Sequence, residues 1–441
     1  MDRPFRSTKT ADPPELSTHH RNYLAVWPSM FAVSLGLMAI IPTLGLYVGD
    51  RFGLTGSDQR FWTGWAYASA PLAAACAGPF WGVLGDRGGR RRMVVRATLA
   101  IAVSTACMPW ATSPGWLVVL RVLQGAFAGF VAPAMALGTD GVPAERQGHV
   151  IGRLQLAMAL GLLVGPAVGA EVAFHFGRAG VFYFTSAVSL LAAAPVWFFV
   201  EQDRRETHVE VSRPPLLHAF RHDFAVLLGN RIFVALLGCV FLMRFGQHMV
   251  EPFVAIWVRE LGALPAIEAM AGAPELALER TVALAFIVLA AAQLLLTTRW
   301  GRLSDRIGPL RCLVILGSGL SVVFFLTSMV DGITPFMILR CGAAVFMAGS
   351  MTLAYAAAAR RVAADRKSLA FTLMQSGMQF GLALGPIVGG VLATGSGVPQ
   401  LYLIGGGCLA VASVGMMILR VAGRALETQL PPPDPTTTPP R

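Results

Sequence analysis

The sequence predicts an all-α integral membrane protein of twelve transmembrane helices in two pseudo-symmetric six-helix bundles. Three observations predict it. The chain is 55% apolar and only 13% charged over 441 residues, whereas soluble domains are about 25% charged. The apolar residues form long runs, and the few charges gather between them. The second half also repeats charged and glycine landmarks of the first at a nearly fixed offset.

A helix rises about 1.5 Å per residue, so crossing ~30 Å of hydrocarbon takes roughly 20 residues. Runs of that size lie near 23–49, 61–84, 94–112, 116–139, 147–172, 180–200, 232–258, 281–300, 311–330, 335–358, 368–394 and 399–422. They are apolar all round, which excludes the alternating strands of a spanning barrel. Residues 1–22 are polar and read as a cytoplasmic N-terminal tail. The apolar run that follows is too long for a signal h-region and has no evident cleavage site. Residues 23–200 form the first bundle and 231–422 the second. The linker between them, 201–230, is too short for a folded domain. Residues 423–441, ending in "PPPDPTTTPPR", read as a disordered C-terminal tail.

Lys and Arg set the orientation. With the N-terminus inside, inner segments carry 27 of the 35 basic residues and outer loops carry five, Arg51, Arg60, Arg178, Arg259 and Arg280. Both termini are therefore expected in the cytoplasm. The same bias explains the net charge of +11 without a nucleic-acid partner. The remaining three, Arg121, Arg244 and Arg340, lie within spans. The six cysteines sit in apolar runs without CxxC or metal-ligand spacing. No metal, cofactor or disulfide is expected.

The repeat is specific. Asp86-Arg87 recurs as Asp305-Arg306 and Arg121 as Arg340, each 219 residues on; Gly165-Pro166 recurs as Gly385-Pro386, 220 on. Parallel halves with nested inverted repeats are a transporter architecture. No GxxxxGK(S/T), HExxH or GxSxG sequence is present, which argues against an ATP-driven pump or an intramembrane enzyme.

The motifs carry a family resemblance. "GVLGDRGGRR" (82–91) fits the pattern G-x-L-(A/S/G)-D-R-x-G-R-(K/R), and "GRLSDRIG" (301–308) fits it as far as the second glycine. "LRVLQGAFAG" (120–129) fits R-x-x-Q-G, and "GLLVGPAVGA" (161–170) fits G-x-x-x-G-P-x-x-G-G with a final Ala. Four motifs in order over residues 20–422 resemble the major facilitator superfamily, and within it the twelve-span drug:proton antiporters. The resemblance implies a secondary transporter in a bacterial inner membrane. It would export small amphipathic compounds in exchange for protons by alternating access, with the bilayer, protons and a small molecule as partners, and act as a monomer. Uptake by symport or uniport on the same fold is the alternative.

The resemblance also implies a cytoplasmic gate at Gly82, Asp86, Arg87, Gly89, Arg90 and Asp140. Asp86 would meet the N-terminal end of span eleven near Lys367–Ser368, and Arg87 and Arg90 would engage Asp140. The bland alternative is topological charge in a solvated loop. The repeated copy, Asp305 and Arg306, lacks the acid: Asp140 maps to Ala359 or Arg360. An asymmetric gate is expected. Gly161, Gly165, Pro166 and Gly169 in span five form either a generic close-packing stripe or, by resemblance, a dry antiporter seam.

Span seven, "LMRFGQHMVEPFVAIW", places Arg244, His248 and Glu251 at i, i+4 and i+7 on one helical face. A mid-membrane charge costs at least ~2.5–3.5 kcal/mol, so these side chains must face partners or a wet cavity. They form either a structural ion pair or a proton site, with Glu251 in reach of Arg244 and of Arg340 on span ten. Span one carries no charged residue between Arg21 and Asp50, so a coupling acid is expected on span seven. Arg121 is a proton-relay residue by resemblance, or a charge neutralised by helix polar groups. Gln124, Gln155, Gln375 and Gln379 either bind substrate or hydrogen-bond between helices. Trp62, Trp65 and Trp81 read as an interfacial belt or a binding cage. Three arginines within spans against Glu251 and the peripheral Glu171 disfavour lipophilic cations and favour neutral, zwitterionic or anionic substrates.

Overall fold

The computed structural model describes residues 15–140, 142–200, 227, 229–362 and 367–429. The expected linker lies almost wholly outside the described residues, as do 1–14 and 430–441. In chain order the helices are α1 (Glu15–Phe52), α2 (Gly56–Gly88), α3 (Arg90–Cys107), α4 (Pro114–Phe127), α5 (Val131–Gly138), α6 (Ala144–Phe199), α7 (Arg231–Val250), α8 (Val254–Leu261), α9 (Pro265–Ala271), α10 (Pro274–Ile307), α11 (Pro309–Thr327), α12 (Ile333–Met347), α13 (Ser350–Ala359), α14 (Lys367–Ser396) and α15 (Val398–Gln429). No strand occurs among the described residues.

Helix covers each of the twelve expected stretches, with differences that have local causes. α1 starts at Glu15, inside the expected tail, and α15 runs to Gln429, past the expected end of its span. α6 holds two expected spans and turns at Gly177. The fourth stretch is split between α4 and α5, because Pro133 has no N–H to give the carbonyl of Gly129. The seventh is split at a 3-10 turn, Glu251–Phe253, where Pro252 cannot bond back to His248. The tenth breaks at Gly349, whose φ of 83° only glycine adopts readily. Among the described residues, nine runs are long and apolar enough to cross a membrane; one of them is the 54-residue run Arg146–Phe199. α4 falls below that length.

The two repeated loops after Asp86 and Asp305 turn in the same way. Gly89 and Gly308 have φ of 83° and 92° and cap the helices on both sides. Each half is then sewn together by glycines against backbone. A Cβ on Gly161, Gly165 or Gly169 would lie 2.5–2.7 Å from the carbonyls of Phe31, Leu35 or Ala39 on α1. Gly381, Gly385 and Gly389 of α14 lie as close to the carbonyls of Phe241, Phe245 and Met249 on α7, at 2.9, 2.8 and 2.3 Å. The span-five stripe is thus a close seam within the first half, and the repeat builds its twin in the second. Apolar cores lie in each half, around Met30, Ile101 and Leu154 in one and Phe253, Phe324 and Tyr402 in the other.

The halves touch along α2 and α14. Gly64 approaches the carbonyl of Pro386, and its Cα faces Gly390. This contact lies at the face opposite the chain termini, called here the distal face.

Gly165→Ala would force a methyl within 2.6 Å of a backbone oxygen, an overpacking cost of about 1–3 kcal/mol. Thermal unfolding of the detergent-solubilised variant should fall by several degrees. Gly148→Ala, also on α6 but with open space around it, should hold or raise the transition.

Candidate functional site

A cavity of ≈ 360 Å³ lies between the halves. Met38, Ile41, Tyr67, Arg121 and Leu162 line it from the first half; Arg244, His248, Glu251, Phe286 and Gln293 line it from the second. A second chamber of ≈ 440 Å³ continues toward the face that carries the termini, past Gln155, Thr297, Ser350 and Thr352. Arg244 and Gln293 line both chambers and stand at their junction.

The helix break at Pro252 positions the acid. Glu251 opens the 3-10 turn and turns its carboxylate to α12. There Arg340 donates from Nη1 to Oε1 at 3.0 Å and from Nη2 to Oε2 at 2.8 Å. The Arg340 side chain is 2% exposed and that of Glu251 12%. Arg340 is held from behind, its Nε donating to the carbonyl of Ala285 at 3.0 Å, and its guanidinium lies 5.7 Å from the ring centre of Phe286. This two-point charged contact is the strong form of such a bond.

Of the two arginines in reach, then, the structure gives Arg340 to Glu251. Arg244 instead donates to Oε1 of Gln247 at a long 3.4 Å, and its Nε is buried without a partner. Nε2 of His248 is also buried without a hydrogen-bond partner. Arg121 mirrors Arg340. Its Nε donates to the carbonyl of Ala66 at 2.9 Å, and Ala66 and Ala285 are separated by the same 219 residues as the two arginines.

The four glutamines divide. Gln155 lines the second chamber. Gln124 lines neither chamber: it accepts from Nη1 of Arg121 at 2.8 Å and donates to Thr105 at 2.8 Å, so it holds the arginine from behind. Gln375 accepts from the Tyr355 hydroxyl, and neither it nor Gln379 is among the residues lining the two chambers. Gln293, which lines both chambers, is not among the sequence candidates, although it is a lone polar residue in "LAAAQLLL" just as Gln124 and Gln155 are in their spans. Trp81 is tied into its own half: it donates to the carbonyl of Ala126 at 2.6 Å, and Arg96 lies 3.3 Å from its ring centre.

At the face bearing the termini, Arg90 of α3 bonds Asp140 at 3.1 Å and the carbonyl of Ala136 at 3.2 Å. The side chains of Gly82, Asp86, Arg87, Lys367 and Ser368 lie outside the described ones. Asp305 and Arg306 are exposed and make no ion pair among the described residues.

The distal face carries what the sequence reading missed. Arg178 bonds both Asp50 and Glu279, the latter at 2.6 Å; Arg259 bonds Asp50 at 2.9 Å; Arg280 bonds Glu171 at 2.7 Å; Arg60 bonds Glu260 at 2.9 Å. All but the Arg178–Asp50 contact join one half to the other. In the sequence these arginines stand out only as the minority of basic residues on the outer side. Acids sit within reach of four of those five in the same outer segments, and that was the available signal. With Gly64 against Pro386, these pairs close the cavity on the distal side.

The Major Facilitator Superfamily profile matches residues 26–277 and 236–440. The chain belongs to the major facilitator superfamily. It is 29% identical over 397 residues to "Multidrug resistance protein MdtG" of Rahnella sp. (strain Y9602), covering 87% of this chain and 90% of that one. It is 31% identical over 297 residues to the protein of the same name from Salmonella paratyphi B (strain ATCC BAA-1250 / SPB7), covering 67% and 69%. Among solved structures it is similar to nucleoside transporter NupG, with a TM-score of 0.76, 14% identity and coverage of 90% of this chain and 99% of that one. A D-xylose-proton symporter gives 0.67, 17%, 90% and 97%. These likenesses agree with the fold of this superfamily member.

The distal ion pairs should hold the closure. A single cysteine at Leu289, on the cavity wall, in an otherwise cysteine-free chain should react with an impermeant maleimide several-fold faster from the distal face when Arg178→Gln is added. An unchanged rate would show that the pairs do not keep that face shut.

Proposed function

We propose that this superfamily member is a proton-coupled exporter of small amphipathic compounds. The MdtG relatives support multidrug efflux as the class of activity. The observation that carries the coupling is the Glu251–Arg340 pair, whose carboxylate lies on the wall of an inter-half cavity. The face bearing the termini is the cytoplasmic face of a bacterial inner membrane, as the basic-residue bias supports. On that orientation the structure is inward-open, sealed outside by the distal ion pairs. The domain boundaries proposed from sequence stand with this reading: bundles at 23–200 and 231–422 about a linker at 201–230.

The cycle follows from charge. Substrate enters from the cytoplasmic side through the second chamber while Glu251 is anionic and bound to Arg340. When the cavity faces outward, a proton on Glu251 cancels one side of the pair. Arg340 then keeps its bond to Ala285 but loses two charge-assisted ones. Breaking a buried pair costs about 3–5 kcal/mol, enough to change which packing of the halves is favoured and to couple proton entry to substrate release. Return of the protonated carrier completes the exchange. Gly161, Gly165, Pro166 and Gly169 keep span five dry against span one as the halves rock. Asp86, Arg87 and Arg90 with Asp140 latch the cytoplasmic side in the opposite state.

In proteoliposomes, Glu251→Gln should lose transport driven by an imposed pH gradient by at least tenfold while retaining substrate counterflow, which needs no net proton movement. Undiminished pH-driven transport would rule out Glu251 as the coupling acid. Reversing the sign of the gradient separates export from uptake: exchange for protons requires substrate and proton to move oppositely. Asp86→Asn should impair transport more than Asp305→Asn at matched expression, because only the first lies in a segment with an acid at the Asp140 position; equal losses would remove the asymmetric gate.

A further inference from the structure

The two halves carry equivalent arginines, Arg121 on the cavity wall and Arg340 behind it, and only Arg340 meets an acid. Arg121 and Arg340 occupy the same place in the repeat and are anchored by Nε to equivalent carbonyls. Tyr67 and Phe286 are also equivalent and both line the cavity. Glu251 directly precedes the proline of its helix, Pro252. The residue that directly precedes Pro42 of α1 is Ile41, and it lines the same cavity. The first half thus keeps the guanidinium and replaces its carboxylate by a hydrocarbon side chain.

Arg121 is 4% exposed and makes no ion pair among the described residues. Nε and Nη1 are used by Ala66 and Gln124; Nη2 has no hydrogen bond and is not among the enclosed unpartnered atoms, so it is left open to the cavity. A second guanidinium, Arg244, lines the same cavity from the other half, also without an ion pair. The one acid lining the cavity, Glu251, already has Arg340. Two uncompensated positive charges therefore share a space of ≈ 360 Å³ walled mainly by side chains such as Met38, Ile41, Leu162 and Leu289. Uncompensated charge in such surroundings is costly unless a counter-charge arrives.

We propose that Arg121 and Arg244 form a binding subsite for the anionic group of an amphipathic substrate, a carboxylate, sulfonate or phosphonate. Its apolar body lies against Met38, Ile41, Leu162 and Leu289. The subsite draws one contact from each half, so an anion bound there bridges the two bundles. Gln124, held by Thr105, positions Arg121 and does not touch the ligand.

The inference rests on the cavity being the transport site, and equilibrium binding to purified protein tests it without any proton gradient. The probes are 2-naphthoate, its neutral amide and the corresponding trimethylammonium compound. The wild type should bind the carboxylate about tenfold more tightly than the amide, the margin of one charge-assisted bond, and the cation most weakly. Arg121→Gln and, separately, Arg244→Gln should each remove most of that preference, weakening carboxylate binding several-fold more than amide binding. Arg121→Lys should keep part of it. A wild type without carboxylate preference, or parallel loss of both probes in the two glutamine variants, overturns the subsite. Failure of the Glu251 experiment would instead sink proton coupling and leave this charge preference intact, so the two failures are distinguishable.

Discussion

The rest of the site depends on one buried ion pair, Glu251 with Arg340. Neither group could sit alone within an apolar span without a cost of a few kcal/mol, and each is satisfied at two points by the other. The pair explains the local sequence. Pro252 breaks the helix so that Glu251 begins a tight turn. Ala285 offers its carbonyl to Arg340, and Phe286 gives the guanidinium an aromatic neighbour. Four separate helical pieces, α7, α8, α10 and α12, are organised around this contact. A single proton changes its energy more than it could change any surface pair. That makes it suited to coupling a solution event to a movement of helices.

The distal closure is built on the opposite principle. Its ion pairs are partly exposed, Asp50 at 41% and Glu260 at 45%, with only Glu279 well buried at 6%. Exposed pairs contribute about 0–1 kcal/mol each. Several together with the Gly64–Pro386 contact can favour one state without making it irreversible. A carrier that must reopen in every cycle needs a seal of this kind. One deeply buried bridge would hold too firmly, and an apolar seal would give no directional register between the halves. Arg178 adds that register by bonding an acid of each half at once.

Much of this was legible in the sequence because the constraints were local or periodic. Apolar runs of ~20 residues mark helices that cross hydrocarbon, and the halves are visible through repeated Asp-Arg, Arg and Gly-Pro landmarks. The i, i+4, i+7 spacing on span seven named the cavity-lining charges. Partner choice was not legible. Arg244 and Arg340 were both within reach of Glu251 on helical arithmetic, and only the break at Pro252 turns the carboxylate toward α12. The two alternatives for Gln124 could not be separated for a similar reason: a polar residue in a span marks some hydrogen-bond demand, and here its amide meets Arg121 and Thr105. The distal network was hidden because the partners in all five pairs lie 101 to 209 residues apart, where no periodicity connects them.

Duplication explains which features come in pairs and which do not. Backbone-level devices are kept in both halves: the turn glycines Gly89 and Gly308, the glycine seams against α1 and α7, the carbonyl anchors for Arg121 and Arg340. Packing tolerates little change there, since a methyl group would strike a carbonyl oxygen. Charges at the ends of side chains have diverged instead. Ile41 faces the cavity where the other half has Glu251, and a base or an alanine stands where the first half has Asp140. Altering a carboxylate leaves helix packing intact but removes a counter-charge, so each divergence releases one guanidinium from its internal partner. Two similar scaffolds can in this way serve two purposes, with a closed charge pair in one half and an open arginine in the other. If Arg121 had also kept an internal acid, Arg244 alone among the cavity-lining arginines would lack an ion pair, and the first half would present no open guanidinium to the cavity.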